Sequence, residues 1–137
     1  MDGLSAAASI ITVVQIAGAV ITYLSDVKDA PKECKTCRIE ASFSNALLLR
    51  LEDHLSGSNS TEPWFADVQA LTRKDGPLDQ YRLALEGLLA KIEPKSKLRK
   101  ALNVLLWKSV KDDIARVLMR MERVKTLVTI ALELDHL

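Results

Sequence analysis

The strongest constraint on this chain is a long stretch near its start that carries no charged side chain. Residues Leu4–Ser25 number 22, and as a helix they would extend about 33 Å, close to the thickness of a bilayer core. A helix that is apolar around most of its circumference is either the central helix of a bundle or a membrane span. We expect no signal peptide, because Met1, Asp2 and Gly3 supply no basic residue ahead of the stretch.

One side of this first helix is lined by small or polar residues. They recur at spacings of 3, 4, 3, 4 and 3 and are Ser5, Ala8, Thr12, Gln15, Ala19 and Thr22. Such a stripe suits close approach of another helix in water or in lipid, and Gly18, four residues before Thr22, adds a weak pair of small residues. The pattern is compatible with two alternatives. The helix could stay in the core of the bundle permanently, or it could lie in the core in one state and in a membrane in another.

The rest of the chain shows helical periodicity and no strand-like alternation. The predicted segments are a second helix over 31–55, a short helix capped by Thr61, a helix over 78–92, a shorter segment over 98–106 closed near Trp107, and a last helix over 110–134. The chain has only 5 Gly and 4 Pro, although 48% of its residues are hydrophobic. So few turn-forming residues favour a helical fold over a β-sandwich or a β-barrel.

These segments predict a single all-α domain over residues 1–137, an antiparallel bundle of about four long helices and one or two short ones. We expect the first helix to pack against the second, the fourth and the last. The predicted apolar face of the second helix is Ile39, Phe43, Leu47, Leu51 and Leu55.

Basic residues are concentrated late in a chain that is nearly neutral overall. Residues 91–125 contain eleven Lys or Arg and four acids, whereas the whole chain has 19 and 18. The cluster with no acid among its members is Lys95, Lys97, Arg99, Lys100, Lys108 and Lys111. It suits contact with anionic lipid head groups and also fits a solvated face. We expect no nucleic-acid partner, because no helix-turn-helix or stacking-aromatic motif accompanies it.

The residues that could carry chemistry are few. Cys34 and Cys37 form a CxxC motif without the preceding strand of a redox fold, so two buried or half-buried free thiols are favoured over a redox pair. His54 and His136 are far apart in sequence, and no phosphate loop or recognisable nucleophile is present. We therefore expect no enzymatic activity, no metal site and no cofactor.

Several short motifs together resemble a known family. They are the opening Met1–Ser5, the segment Ser25–Glu33 leading to Cys37 and Ile39–Ser42, and Leu105–Lys108 ahead of an Arg- and Leu-rich final helix. The chain resembles the HeLo-like domains, which stand at the N-termini of fungal NLR-type (NACHT) receptors and related cell-death proteins. Many family members carry proline after the tryptophan, where this chain has Lys108.

The resemblance implies a role in programmed cell death during non-self recognition. It implies a chain that is cytoplasmic at rest and the N-terminal part of a longer protein, with a nucleotide-binding or other domain following. On homo-oligomerisation the first helix would enter the plasma membrane. Carried over here, the membrane-inserting residues would be Leu4, Ile10, Ile11, Val13, Val14, Ile16, Gly18, Val20, Ile21, Tyr23 and Leu24. The alternative is a helical interaction or regulatory module of such a receptor, without membrane activity.

Overall fold

Five helices make up the part of the chain that the computed structural model describes, residues 3–27, 30–56, 64–93 and 103–135. They are α1 (Gly3–Ser25), α2 (Lys32–Ser56), α3 (Phe65–Thr72), α4 (Pro77–Ile92) and α5 (Asn103–Asp135). No strand occurs within these ranges. The predicted all-α bundle of about four long helices and one or two short ones is confirmed.

Local chemistry sets the helix starts. The carbonyl of Pro31 accepts the N–H groups of Cys34 and Lys35 at 3.1 and 3.2 Å, which closes the first turn of α2. Pro77 is the first residue of α4, where its missing N–H costs nothing and its fixed φ suits the helix. The carboxylate of Asp79 accepts the N–H of Asp75 at 2.9 Å and so supports Asp75 at its positive φ of 60°.

The four long helices form a ring in which α1 lies beside α2 and α4, and α5 closes the opposite side between α2 and α4. The short α3 packs on α4, α5 and the edge of α1. The expectation that α1 packs against the last helix is wrong, because α5 packs chiefly on α2, α3 and α4, diagonally across the core from α1. The neighbours α4 and α5 are antiparallel, since Lys91 at the end of α4 meets Asp113 early in α5.

Along α4 and α5, the apolar residues that recur at spacings of 3 and 4 in the sequence form the core. Every member of both stripes is buried: Leu78, Tyr81, Leu85, Leu88, Ile92, Val110, Ile114, Val117, Met121, Val124, Val128 and Ala131. A stripe with alternating 3- and 4-residue spacing marks the side of a helix that turns to the core.

The predicted apolar face of α2 is wrong in its first half. Ile39 and Phe43 are 59% and 58% exposed. The buried side is instead Cys34, Cys37, Ala41, Ser44, Leu48, Leu51 and Leu55. The predicted residues recur every four positions, so their direction shifts around the helix, and only Leu51 and Leu55 reach the buried side, where the spacing alternates between 3 and 4.

The prediction that a helical segment ends near Trp107 is also wrong. The helix α5 begins at Asn103 and continues through Trp107 to Asp135. The residue after the tryptophan is Lys108, which has the backbone N–H that a proline lacks, so the hydrogen-bond ladder is not interrupted. Residues 98–102 and the predicted cap Thr61 lie outside the described residues.

Candidate functional site

The first helix divides the predicted membrane-inserting residues between the core and the surface. Ile10, Val13, Val20 and Leu24 are buried in the core, whereas Ile11 is 39% exposed. Val14, Ile16, Gly18, Ile21 and Tyr23 are half-buried along its flanks. The side chain of Leu4 lies outside the described residues.

The small and polar stripe of α1 faces outward. Ser5, Ala8, Thr12, Gln15 and Thr22 are exposed and Ala19 is half-buried. At Gly18, beside this stripe, an added Cβ would meet no atom of the described residues within 4 Å. In this fold the stripe therefore forms an outer face of α1, bounded by Ile11, that is uncharged along its whole length.

Four hydroxyl groups of α1 are bonded within the helix. Thr12 and Thr22 each donate to the carbonyl four residues earlier, both at 3.0 Å. Ser9 and Ser25 do the same at 3.1 and 2.7 Å. Because a hydroxyl bonded to its own helix needs no water, these groups add little to the cost of entering hydrocarbon.

Within the described residues, one helix is long and apolar enough to cross a bilayer, namely Ser5–Ser25, with a mean hydropathy of 1.9. Of its most apolar 18 residues, 28% are buried in the bundle, and the others are half-buried or exposed. The high hydropathy of α1 thus coincides with a large exposed uncharged face.

Ion pairs tie the other three long helices to one another. Lys125 on α5 bonds Glu40 on α2 at 2.7 Å, and Lys91 on α4 bonds Asp113 on α5 at 2.6 Å. Arg120 adds a 2.9 Å hydrogen bond to a carbonyl on α4. Because residues 4–25 contain no charged side chain, α1 forms none of these inter-helix ion pairs.

One polar contact between α1 and α2 was not anticipated from the sequence. The side-chain amide of Asn45 donates to the carbonyl of Val14 at 3.2 Å, in the middle of both helices. The signal that could have indicated it is a lone amide in the uncharged run between Glu40 and Arg50. The bond fixes the register of the two helices, and α1 keeps its own helical bonds if it is broken.

The structure describes two of the six predicted lipid-contacting residues. Lys108 and Lys111 are exposed on α5. With Pro31, Glu33 and Cys34 among their neighbours, they line an open pocket of about 210 Å³ at the end of the bundle where α1 leads into α2. Lys95, Lys97, Arg99 and Lys100 lie outside the described residues.

The CxxC cysteines lie on the buried side of α2. Cys34 and Cys37 are both free thiols with almost no exposed surface. Burial raises the pKa of both, that of Cys37 to about 12. Because the thiolate is the reactive form, this setting favours structural thiols. Within the described ranges, no three His, Cys, Asp or Glu side chains come together as a metal site.

Comparison of the chain with family models, with curated proteins and with solved structures finds no match. The central feature of the site is the uncharged outer face of α1, on which the hydroxyls of Thr12 and Thr22 bond to their own helix.

Proposed function

We propose that this chain is a membrane-targeting effector of programmed cell death, in which oligomerisation releases α1 to insert into and permeabilise the plasma membrane. The observation that carries the membrane part is α1 itself, a bilayer-length helix without charge whose exposed face has hydroxyls bonded internally. The cell-death part rests on the resemblance to HeLo-like domains. The chain would be cytoplasmic before activation.

Release of α1 is costly in water and is compensated by lipid. Four large side chains of α1 lie in the core, namely Ile10, Val13, Val20 and Leu24, and their burial is worth about 6–12 kcal/mol before entropy is subtracted. A bilayer offers the same removal from water. The trigger must therefore supply contacts that favour the open state, and self-association at a membrane provides them.

The other three long helices, α2, α4 and α5, are expected to stay packed together after α1 leaves. The ion pairs Glu40–Lys125 and Lys91–Asp113 join α2, α4 and α5 without involving α1. Lys108 and Lys111 would hold the end of the bundle against anionic head groups, each contact worth about 1 kcal/mol. Anionic lipid and further copies of this chain are thus the proposed partners.

Dye release from anionic vesicles tests the insertion step. The chain, oligomerised by a coiled-coil fusion at its C-terminus, is compared with the same fusion carrying Ile11→Asp. Ile11 is 39% exposed, so the substitution leaves the bundle folded. An aspartate at depth in the bilayer costs about 2.5–3.5 kcal/mol, and we expect release to slow about a hundredfold.

The matched control is Met119→Asp, which places the same charge on the 67% exposed side chain of α5. It should release dye like the parent chain. Equal release by the Ile11 variant and the parent would refute insertion of α1.

The alternative, an interaction module, is favoured by a different observation, the exposure of Ile39 and Phe43 on α2. Flotation of the oligomerised chain with anionic vesicles separates the two functions. Co-flotation that is lost in the double variant Lys108→Glu, Lys111→Glu supports the membrane function. A folded chain that stays with the soluble fraction supports the interaction module.

A further inference from the structure

A second stripe with helical spacing runs along the solvent side of α2. Its members recur at spacings of 4, 3, 4, 3 and 4, and each is exposed: Lys35, Ile39, Ser42, Ala46, Leu49 and Asp53. This alternation places side chains on one narrow seam, as in a pair of packed helices. The stripe begins with a cation, ends with an anion and is uncharged between them.

Nothing in the described part of the chain covers this stripe. The neighbours of α2 are α1 and α5, which pack beside its buried face. Ile39 is 59% and Leu49 is 48% exposed. The hydroxyl of Ser42 donates to the carbonyl of Arg38 at 3.0 Å, so the centre of the stripe can be removed from water without leaving that group unsatisfied.

We propose that this stripe binds the same stripe of a second copy of the chain, with the two α2 helices antiparallel about a two-fold axis. Antiparallel pairing brings Lys35 of each copy opposite Asp53 of the other, and Ile39 opposite Leu49. Ser42 then meets Ala46 at the centre, where small side chains let two helices approach closely. A two-fold interface uses one patch twice, as this self-complementary order of charges allows.

The flanking residues agree with this pairing. Along one edge of the seam, Arg38 of each copy would lie near Glu52 of the other, which are opposite charges. Along the other edge, the two copies of Phe43 would meet at the two-fold axis, and Phe43 is 58% exposed in the single chain. Aromatic pairs and opposite charges at these flanking positions favour one orientation.

A parallel pairing is disfavoured by the same charges. It would bring Lys35 against Lys35 and Asp53 against Asp53 at the two ends of the seam. The seam from Lys35 to Asp53 is about 27 Å long, and each copy contributes two large exposed apolar side chains to it, Ile39 and Leu49. We therefore expect a reversible dimer with a dissociation constant of roughly micromolar order.

This dimer does not depend on the proposed membrane function, and its test contains no lipid. The untagged chain is studied by sedimentation equilibrium, where a dimer has twice the 15.2 kDa of the single chain. Ala46→Glu at the centre of the seam should give a monomer. The matched control Ala90→Glu, at an exposed alanine of α4, should remain dimeric. Circular dichroism verifies that each variant is folded.

A charge exchange tests the orientation. Lys35→Asp alone turns both end contacts into repulsions and should weaken association about tenfold. Adding Asp53→Lys to the same chain restores opposite charges and should restore the parent affinity. A parent chain that is monomeric, or a dimer that survives Ala46→Glu, would overturn the proposal. A double exchange that fails to rescue would overturn the antiparallel pairing.

Discussion

Alanine substitution of Ile10 and Ile11, one at a time, measures how firmly each side of α1 is held. The two residues are adjacent and chemically identical, but Ile10 has no exposed surface whereas Ile11 is 39% exposed. The difference between the two free energies of unfolding therefore isolates burial from helix propensity, since the gain in propensity from Ile to Ala is the same at both positions.

The magnitudes follow from the burial of each side chain. Isoleucine to alanine removes three carbon atoms, worth about 2.4 kcal/mol at roughly 0.8 kcal/mol each when fully buried. At Ile10 the enclosed cavity adds to this loss, for a total of about 3–4 kcal/mol. At Ile11 no enclosed cavity forms and part of the surface is already wet, so we expect about 1 kcal/mol.

Urea unfolding followed by circular dichroism, with the chain kept dilute and free of lipid, provides the measurement. The slopes of the transitions should agree among the variants, so that midpoints compare stability directly. Equal destabilisation by the two substitutions, or a larger effect at Ile11, would show that α1 is docked in another orientation. The outer face identified on α1 would then be the wrong one.

Three further predictions concern the ion pairs between α4 and α5 and the buried cysteine thiols. Asp113→Ala removes the carboxylate that Lys91 and Arg116 share at 2.6 and 3.2 Å. Because the side chains of both cations are about half exposed, at 44% and 49%, the unfolding free energy should fall by only about 1 kcal/mol in thermal or urea unfolding. The Cys37 pKa rises from 9.0 to about 12 on folding, so above pH 9 the unfolded chain releases this proton first and stability should fall by up to about 1.4 kcal/mol per pH unit. Cys37→Ala should lessen that decline, and a parent chain equally stable at pH 8 and pH 10.5 would contradict it. At neutral pH Cys37, which has no exposed surface, should react with a thiol reagent only as fast as the chain unfolds, whereas rapid labelling of Cys37 in the native chain would show that it is accessible.

The comparison between sequence and structure is clearest on α2. Its sequence has apolar residues on more than one side of the helix, and the periodicity alone predicted that Ile39 and Phe43 lie in the core. The structure buries Cys34, Cys37 and Ala41 instead. Hydropathy ranks isoleucine and phenylalanine above cysteine and alanine, but the predicted residues recur every four positions and so shift around a helix of about 3.6 residues per turn, which leaves Ile39 and Phe43 off the side that holds Leu51 and Leu55.

The helices α4 and α5 were predictable because each carries one dominant apolar stripe. The continuity of α5 through Trp107 was not predicted, although Lys108 has the backbone N–H that a continuous helix needs. The bond from Asn45 to Val14 and the pair Glu40–Lys125 were not predictable, because partners far apart in sequence are brought together only by the packing of helices.

The sequence by itself determined that this chain is helical and that its first helix is uncharged and as long as a bilayer is thick. Those properties depend on residue type and spacing along one element, which no tertiary contact can change. Only the tertiary structure decided which side of that helix is hidden. Burial depends on the neighbours, and α2 and α4 cover Ile10, Val13, Val20 and Leu24 while the small and polar stripe stays in water. The outer face of α1 is thus a property of the bundle. It stays exposed because the opposite, more apolar side of α1 is the one that α2 and α4 bury.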